Sequence, residues 1–251
     1  MNRLPTEKRT LILQLLTEGM GINAISRTVG CSKNTVLKLL ADAGHACLDY
    51  QDETLTDLPC TRLQADELWS FVYAKGRAAA TAKNRDAGDV WTWVAICEDT
   101  KLVPTWMIGD RTYETGSEFM RDLALRIRQP VRLTTDGLAA YVEAIDDAFG
   151  SWMVDHRILK RRYPESTGRT GHIERQNLTM RMRIRRYARA TNAFSKKLEN
   201  HAHAVSLHFM VYNFCTPHRT LGRGVTPAMA AGITDHQWEV SDITALVDES
   251  N

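Results

Sequence analysis

The sequence predicts an α/β protein with a mixed five-stranded sheet flanked by helices, preceded by a small all-α helix-turn-helix domain. Apolar residues recur at helical spacing up to about residue 43, and runs rich in aromatic and β-branched residues follow from residue 67. Helical spacing then returns between and after the later runs. The resulting order, βββαβαβ followed by helices, is typical of one sheet with helices packed against it.

The first domain, predicted for residues 1–45, contains three short helices between residues 5 and 43. Gly30 permits the tight turn that follows the second helix, and Ser32 is suited to cap the third. This pattern is typical of a helix-turn-helix, although a small helical bundle without affinity for DNA has the same periodicity. The polar side chains of the third helix that are expected to contact DNA are Lys33, Asn34, Thr35 and Lys38.

The rest of the chain divides into three further parts. Residues 46–62 lack periodicity and are predicted to be a linker, and residues 63–234 form the larger α/β domain. Residues 235–251 contain five acids and no Lys or Arg. We expect this acidic tail to be solvated or to contact a partner.

The larger domain is predicted to alternate strands and helices. The strands are predicted at residues 67–74, 90–97, 102–108, 131–135 and 152–159. The helices are predicted at residues 115–128, 138–149, 171–190 and 193–214.

The composition is that of an ordinary globular protein, with 43% hydrophobic and 25% charged residues in 251. The sequence has no apolar run long enough to span a bilayer, so we expect a cytoplasmic protein without membrane contact. Its five cysteines are scattered and odd in number, which argues against a disulfide framework or a zinc ribbon.

Positive charge is concentrated in one segment. Residues 157–197 contain thirteen Lys or Arg and two acids, a net charge of +11 in a chain whose net charge is +2. Such a segment attracts a polyanion, of which nucleic acid is the commonest. Glu174 lies inside it, and a carboxylate that faces phosphates needs a cation between them, typically a divalent metal ion. The alternative is that Glu174 forms helical salt bridges with neighbouring arginines.

Two further acids have positions that favour metal binding. Asp66 lies at the start of the first strand, and Asp136 ends the fourth, where Gly137 leaves room for a substrate. If these strands are neighbours, both carboxylates reach one end of the sheet, and Glu174 could complete a pocket for two divalent ions. Glu67 competes with Asp66 but points to the opposite strand face. Other acids that could substitute are Asp99, Asp146, Asp147 and Asp155.

Helical spacing links Glu174 to two polar residues. Asn177 and Arg181 follow it at i+3 and i+7, so all three share one side of a helix. Arg181 could therefore bind a phosphate one or two turns from the metal.

Three segments carry a resemblance to a known family. They are Asp66–Val72, Leu133–Gly137 and His172–Arg181, and the stretches 212–219 and 226–232 add to them. With these segments the chain resembles the DDE transposases of bacterial insertion sequences, most closely those of the insertion-sequence-one family, over about residues 5–232.

The resemblance implies a ribonuclease-H-like catalytic domain. In it, Asp66, Asp136 and Glu174 bind two Mg²⁺ ions, for which Mn²⁺ could substitute, and Arg181 contacts DNA. Family members often carry a zinc-binding segment ahead of the helix-turn-helix, and this chain has no such cysteine set. Either the helix-turn-helix alone recognises the element ends, or an N-terminal portion is missing.

The predicted function is that of a transposase that binds terminal inverted repeats of double-stranded DNA, cleaves them and joins them to target DNA. It would act in the cytoplasm on the nucleoid, as a homo-oligomer in a synaptic complex. The residues of the larger domain expected to bind DNA are Arg175, Asn177, Arg181 and Arg185.

Three alternatives remain open at this stage. The first is a nuclease of the same fold that only hydrolyses DNA, and the second is a helix-turn-helix transcription regulator without catalysis. The third is a tyrosine recombinase that uses His218, Arg219 and a tyrosine such as Tyr212.

Overall fold

The structure is a computed structural model that describes residues 4–128, 130–150, 152–159, 171–188 and 193–250. Parts of the predicted basic segment, residues 160–170 and 189–192, lie outside the described residues. The strands are β1 Arg62–Val72, β2 Gly88–Cys97, β3 Trp106–Gly109, β4 Val131–Thr135 and β5 Val154–Ile158.

Ten α-helices surround the sheet or precede it in the described parts of the chain. They are α1 Thr6–Thr17, α2 Ile22–Val29, α3 Lys33–Thr54, α4 Arg77–Ala80, α5 Tyr113–Arg126, α6 Ala139–Phe149, α7 Gly171–Arg183, α8 Leu198–Met210, α9 Pro227–Ala230 and α10 Val240–Glu249. A 3-10 turn, Arg185–Tyr187, follows α7, and a π-helical turn, Val211–Cys215, continues α8.

The five strands form one mixed sheet in the order β3-β2-β1-β4-β5. The β1–β2 and β2–β3 pairs are antiparallel, and the β1–β4 and β4–β5 pairs are parallel. This is the ribonuclease-H-like arrangement that the resemblance implied. The first and fourth strands are neighbours, as the carboxylate prediction required.

Helices cover both faces of the sheet. On one face, Trp93 of β2 packs against Phe119 of α5 and Tyr141 of α6. On the other face, Leu68 and Val94 belong to a second buried cluster that α7 and α8 complete. Since successive strand residues alternate between faces, Asp66 faces α7 and Glu67 faces α5 and α6.

The three helices predicted for the first domain are confirmed. Gly30 ends α2 in the left-handed conformation with φ 70°, and the Ser32 hydroxyl accepts a hydrogen bond from the Thr35 backbone N–H at 3.0 Å. Both residues act as predicted, because a left-handed C-cap favours glycine and an N-cap needs a side-chain acceptor.

The expectation of an aperiodic linker was wrong for residues 46–54, because α3 continues to Thr54. Its second half packs on α8, where Gly44 is essential: a Cβ there would lie 2.5 Å from the Cβ of His203. The Ser206 hydroxyl also donates to the Gly44 carbonyl at 2.7 Å. Sequence periodicity missed this half because small residues make the contact in place of large apolar ones.

The expectation of a solvated acidic tail was also wrong. Residues 240–249 form α10, which buries Ile243 and Val247 in the core. The Arg9 guanidinium of α1 pairs with the Asp248 carboxylate, so one of the five acids binds within the chain. The apolar residues recur four apart on one helix face, and this spacing outweighs the net charge of the segment.

The third strand is shorter than predicted. It begins at Trp106 because the Asn213 side chain accepts from the Val103 N–H at 3.0 Å and donates to the Val103 carbonyl at 2.9 Å. An amide from the π-helical turn thereby takes the backbone groups that a longer strand would have used. None of the helices in the described residues is both long and apolar enough to cross a membrane.

Candidate metal centre

The parallel pairing of β1 with β4 brings two of the predicted carboxylates together. Gln64 of β1 is opposite Thr134 of β4. Asp66 and Asp136 each follow two residues later in the chain, so the two carboxylates come side by side. Carboxylate oxygens of Asp66, Glu67 and Asp136 all lie within 4.8 Å of one another. Within the residues that the structure describes, this carboxylate group does not include Glu174.

A tight turn after β4 fixes Asp136. Its carboxylate accepts a hydrogen bond from the Leu138 N–H at 3.0 Å, and Gly137 has a φ of 86°. A Cβ at Gly137 would lie 2.5 Å from Cγ2 of Ile158 in β5. We expected Gly137 to make room for a substrate, but the space beside its Cα is filled by β5. Glycine is needed at position 137 because the backbone is left-handed there and because Ile158 packs against its Cα.

Gln64 attaches α7 to the sheet. Its Oε1 accepts hydrogen bonds from the backbone N–H groups of His172 and Ile173 at 3.1 and 3.0 Å, in the first turn of α7. Its Nε2 donates to the Glu98 carboxylate at 2.8 Å. Gln64 and Asp66 are two residues apart in β1, so their side chains lie on the same face of the sheet. The side chain that caps α7 is therefore next to the Asp66 carboxylate.

Asn177 connects α7 to the carboxylate group. Its Nδ2 donates to Oδ2 of Asp66 at 2.8 Å, and the residue is buried. Glu174 lies one helical turn earlier and is exposed, and Arg181 lies one turn later and is partly buried. The predicted common side of Glu174, Asn177 and Arg181 is therefore the side of α7 that turns towards Asp66.

Glu67 is the member of the carboxylate group that the sequence did not assign. It lies on the predicted opposite face, where its side chain accepts from Nε of Arg111 at 2.7 Å. The Arg111 guanidinium in turn lies 4.8 Å from the ring centroid of Trp91. Burial first, then repulsion by Asp136 and Asp66, raises the pKa of Glu67 to about 7.

Two buried acceptor oxygens at this site, Oε2 of Glu67 and Oδ1 of Asn177, have no hydrogen-bond partner among the described residues. The buried hydroxyl of Tyr141 has none there either, and burial, followed by the charges of Glu67, Asp66 and Asp136, raises its pKa. A buried acceptor without a donor is costly, and a cation satisfies such an acceptor. Carboxylate and amide oxygens are the ligands that Mg²⁺ and Mn²⁺ prefer, so the donor set fits a hard divalent ion.

The predicted DNA-binding residues occupy two regions. In α3, Lys33, Asn34 and Lys38 are exposed, Thr35 is partly buried, and the Lys38 ammonium pairs with Asp42 at 2.6 Å. Arg175 lies about 100° around α7 from Glu174. It lines a separate cleft of about 260 Å³ together with Lys101, His172 and His218. Arg185 is exposed in the 3-10 turn after α7.

The geometry does not support the tyrosine-recombinase alternative. The Tyr212 hydroxyl is buried and donates to the Lys101 carbonyl at 2.9 Å, so it is not available to attack DNA. Burial also raises the pKa of Tyr212, which disfavours the phenolate that would act as a nucleophile.

The mixed sheet has the strand order of a ribonuclease-H-like protein. Carboxylates gather beside the junction of β1 and β4, and a helix attached to β1 lies across them. Residues 58–215 match the sequence model of the IS1 transposase family. The chain therefore belongs to the IS1 transposase family.

Individual relatives agree with this family. The chain is 33% identical over 138 residues to insertion element iso-IS1n protein InsB of Shigella dysenteriae, covering 55% of this chain and 86% of that relative. Among solved structures, the Mos1 mariner paired end complex with Mn is 9% identical, covers 84% of this chain and 76% of that one, and has a TM-score of 0.34. A pre-cleavage Mos1 transpososome is 12% identical, covers 84% of this chain and 77% of that one, and has a TM-score of 0.33. At these TM-scores neither structure supports a conclusion about function.

Proposed function

We propose that this protein is a transposase that binds the ends of its own insertion sequence, cleaves them in a metal-dependent reaction and transfers the cut strand to target DNA. The observation that supports this most directly is the carboxylate group of Asp66, Glu67 and Asp136 with its unsatisfied oxygens. Its place beside the β1–β4 junction, in a chain of the IS1 transposase family, makes phosphodiester chemistry the best-supported use.

The ligands divide between the sheet and α7. Asp66 and Asp136 would hold the divalent ions, and Glu174 would contribute from α7 when DNA is bound. Two such ions, Mg²⁺ or Mn²⁺, would supply Lewis-acid activation of the attacking oxygen and stabilise the leaving oxygen. Asn177 would keep the Asp66 carboxylate in position through its 2.8 Å hydrogen bond.

Neighbouring groups would tune this site. Arg111 partly offsets the negative charge of Glu67, which keeps three carboxylates compatible within 4.8 Å before an ion binds. Arg181 and Arg185 would bind phosphates on the α7 side, since guanidinium groups bind phosphate in a bidentate manner.

The reaction would proceed in two displacements at phosphorus. In the first, water attacks the phosphodiester at the element end, one P–O bond forms and the bond to the 3′ oxygen breaks. In the second, the released 3′-hydroxyl attacks a target phosphodiester and displaces its 3′ oxygen. The partner would be double-stranded DNA at both steps, with the protein acting as a homo-oligomer.

Metal-dependent cleavage at the element end is the test of this proposal. A DNA fragment with the ends that flank the gene is incubated with protein and Mg²⁺, and with Ca²⁺ as a comparison. We expect nicks at the end and strand-joined products with Mg²⁺. Asp136→Asn and Glu174→Gln should each reduce cleavage by about 100-fold or more, the size expected when a catalytic centre loses one electrostatic group.

The control variant is Glu143→Gln, which removes an exposed acid of α6. It should cleave as the unaltered protein does. Calorimetric titration with Mn²⁺ gives a second measurement, in which Asp136→Asn should weaken ion binding and Glu143→Gln should not. Cleavage by Asp136→Asn at the normal rate would contradict the assignment. Nicking without joined products would favour a nuclease, and specific binding without cleavage would favour a regulator.

A further inference from the structure

A second site lies between the helix-turn-helix and the segment that follows α7. It is a groove of about 470 Å³, called the basic groove below, and Met20 and Leu37 form part of its wall on the helix-turn-helix side. Its described lining residues include five cations and no carboxylate. The cations are Lys33, Arg183, Arg185, Arg186 and Lys196.

Arg186 is the most buried of the lining cations that have no carboxylate partner among the described residues. Its guanidinium donates to the Ser195 hydroxyl, and within the described residues no acid pairs with it. Burial lowers the pKa of Arg186 to about 10, so the group remains charged at neutral pH. A partly buried cation without a counter-ion is costly, and a bound anion would remove that cost.

The surrounding groups do not neutralise the basic groove. Arg183 pairs with Glu18 at 3.2 Å, whereas Lys33, Arg185 and Lys196 are exposed on the rim. His208, which also lines the groove, is buried, and burial lowers its pKa to about 3, so it is uncharged at neutral pH. The groove therefore keeps an excess of positive charge that favours an anion.

The position of Lys33 indicates which anion. Lys33 is the first residue of α3, the helix predicted to enter a major groove, and it also lines the basic groove. A duplex in contact with the start of α3 would have a sugar-phosphate strand beside this rim. Lys and Arg are the residues that most often contact that strand.

We propose that the basic groove binds backbone phosphates of the DNA contacted by α3, with Arg186 at its centre. This site is separate from the carboxylate group, and it adds Arg183, Arg186 and Lys196 to the predicted DNA contacts. It rests on the proposed function in one respect, namely that DNA is the partner.

Lys196 and Lys197 provide a matched pair for the test. Both are exposed and adjacent, but only Lys196 lines the basic groove. Binding of a fluorescent duplex is measured by anisotropy across a salt series for Lys196→Gln and Lys197→Gln. The slope of log K against log salt is negative, and removal of one phosphate contact makes it less steep by roughly 0.9, which corresponds to roughly an eightfold loss of affinity at about 0.1 M salt. We expect this for Lys196→Gln and no change for Lys197→Gln.

Arg186 can be observed directly by the NMR signal of its Nε–H, assigned with Arg186→Lys. That signal should shift when the duplex is added. If inorganic phosphate shifts it and the duplex does not, the groove is a small-anion site and the DNA assignment is overturned.

The two proposals fail in different ways. Equal binding by Lys196→Gln and Lys197→Gln, in a protein that still cleaves element ends, overturns the groove and leaves the transposase proposal standing. Weaker binding by Lys196→Gln alone, in a protein that never cleaves DNA, supports the groove and overturns the transposase proposal.

Discussion

Asn177 occupies the point where α7 meets the carboxylate group. Its side-chain amide donates to Asp66, and its buried carbonyl oxygen has no hydrogen-bond partner in the part of the chain that the structure describes. An aspartate in this position would add a fourth negative charge to the group. The neutral amide instead donates to one carboxylate while offering an acceptor to a cation.

Replacement of Asn177 by Ala should lower the free energy of unfolding by about 1–3 kcal/mol. A hydrogen bond to an ionised carboxylate is worth about that much, and its loss leaves Asp66 less well positioned. The measurement is equilibrium unfolding by urea in metal-free buffer. Leu178→Ala is the control, since Leu178 is 52% exposed on the same helix and should change stability by less than Asn177→Ala. Equal losses for the two variants would show that the Asp66 contact has no special weight.

At the scale of single residues, the sequence predicted that Asp66 and Asp136 meet if the first and fourth strands are neighbours, and they are. It was wrong to place Asp66 at the start of its strand, because β1 begins at Arg62 and Asp66 lies inside it, beside the end of β4. It predicted the face of Glu67 correctly but not its membership of the carboxylate group. β4 ends at Thr135, and Asp136 follows it beyond the strand. The Asp136 carboxylate therefore lies close to Asp66 on one face of β1 and to Glu67 on the other. The pair with Arg111, 44 positions away, stabilises Glu67 there.

The π-helical turn Val211–Cys215 is the element that sets the length of β3. Asn213 is fully buried there and satisfies both backbone groups of Val103. The Asn213 side chain of the helical layer thus fixes the backbone between β2 and β3 of the sheet.

Asn213→Ala should lower the free energy of unfolding by about 2–4 kcal/mol. Two buried backbone groups would lose their partners, and each such loss costs about 1–3 kcal/mol. Asn200→Ala is the matched control, because Asn200 is a partly exposed residue of α8. Thermal and urea unfolding of the two variants would be compared. A loss for Asn213→Ala no larger than for Asn200→Ala would mean that water satisfies Val103 instead.

At the scale of elements, periodicity predicted α1, α2, the start of α3, β4 and α6 well. It failed at the second half of α3 and at α10, for opposite reasons. Gly44 and Ser206 make a close helix contact that has no apolar stripe. In α10, two buried apolar residues were outweighed in the sequence by the five acids of residues 235–251, and one of these acids, Asp248, binds Arg9.

Two histidines of α8, His201 and His208, are buried among the described residues, and they make the stability of the molecule depend on pH. Burial lowers the pKa of His201 and of His208 to about 3. The unfolded chain, in which histidine titrates near pH 6.5, therefore binds protons that the folded chain does not. The contribution to stability is complete above about pH 6.5 and is lost as the pH falls towards 3.

We expect each histidine to lower the free energy of unfolding by about 2 kcal/mol between pH 7 and pH 5. Urea unfolding across this range measures the loss. His208→Gln, which preserves size and polarity, should flatten the profile by about that amount. The exposed His236 is the control, and His236→Gln should change the profile by less than His208→Gln does. A His208→Gln profile parallel to that of the unaltered protein would show that folding does not lower the pKa of His208.

For the whole molecule, the sequence by itself determined the class of fold, the helix-turn-helix, the concentration of positive charge and the position of Asp136 at the end of the fourth strand. These follow from periodicity, capping and charge, which are properties of short segments. The tertiary structure alone decided that Glu67 joins the aspartates, that Arg175 faces a different cleft, that α10 packs on α1, and that five cations share the basic groove. Each of these depends on contacts between residues far apart in the chain, and such contacts are set by how the layers pack rather than by any local pattern.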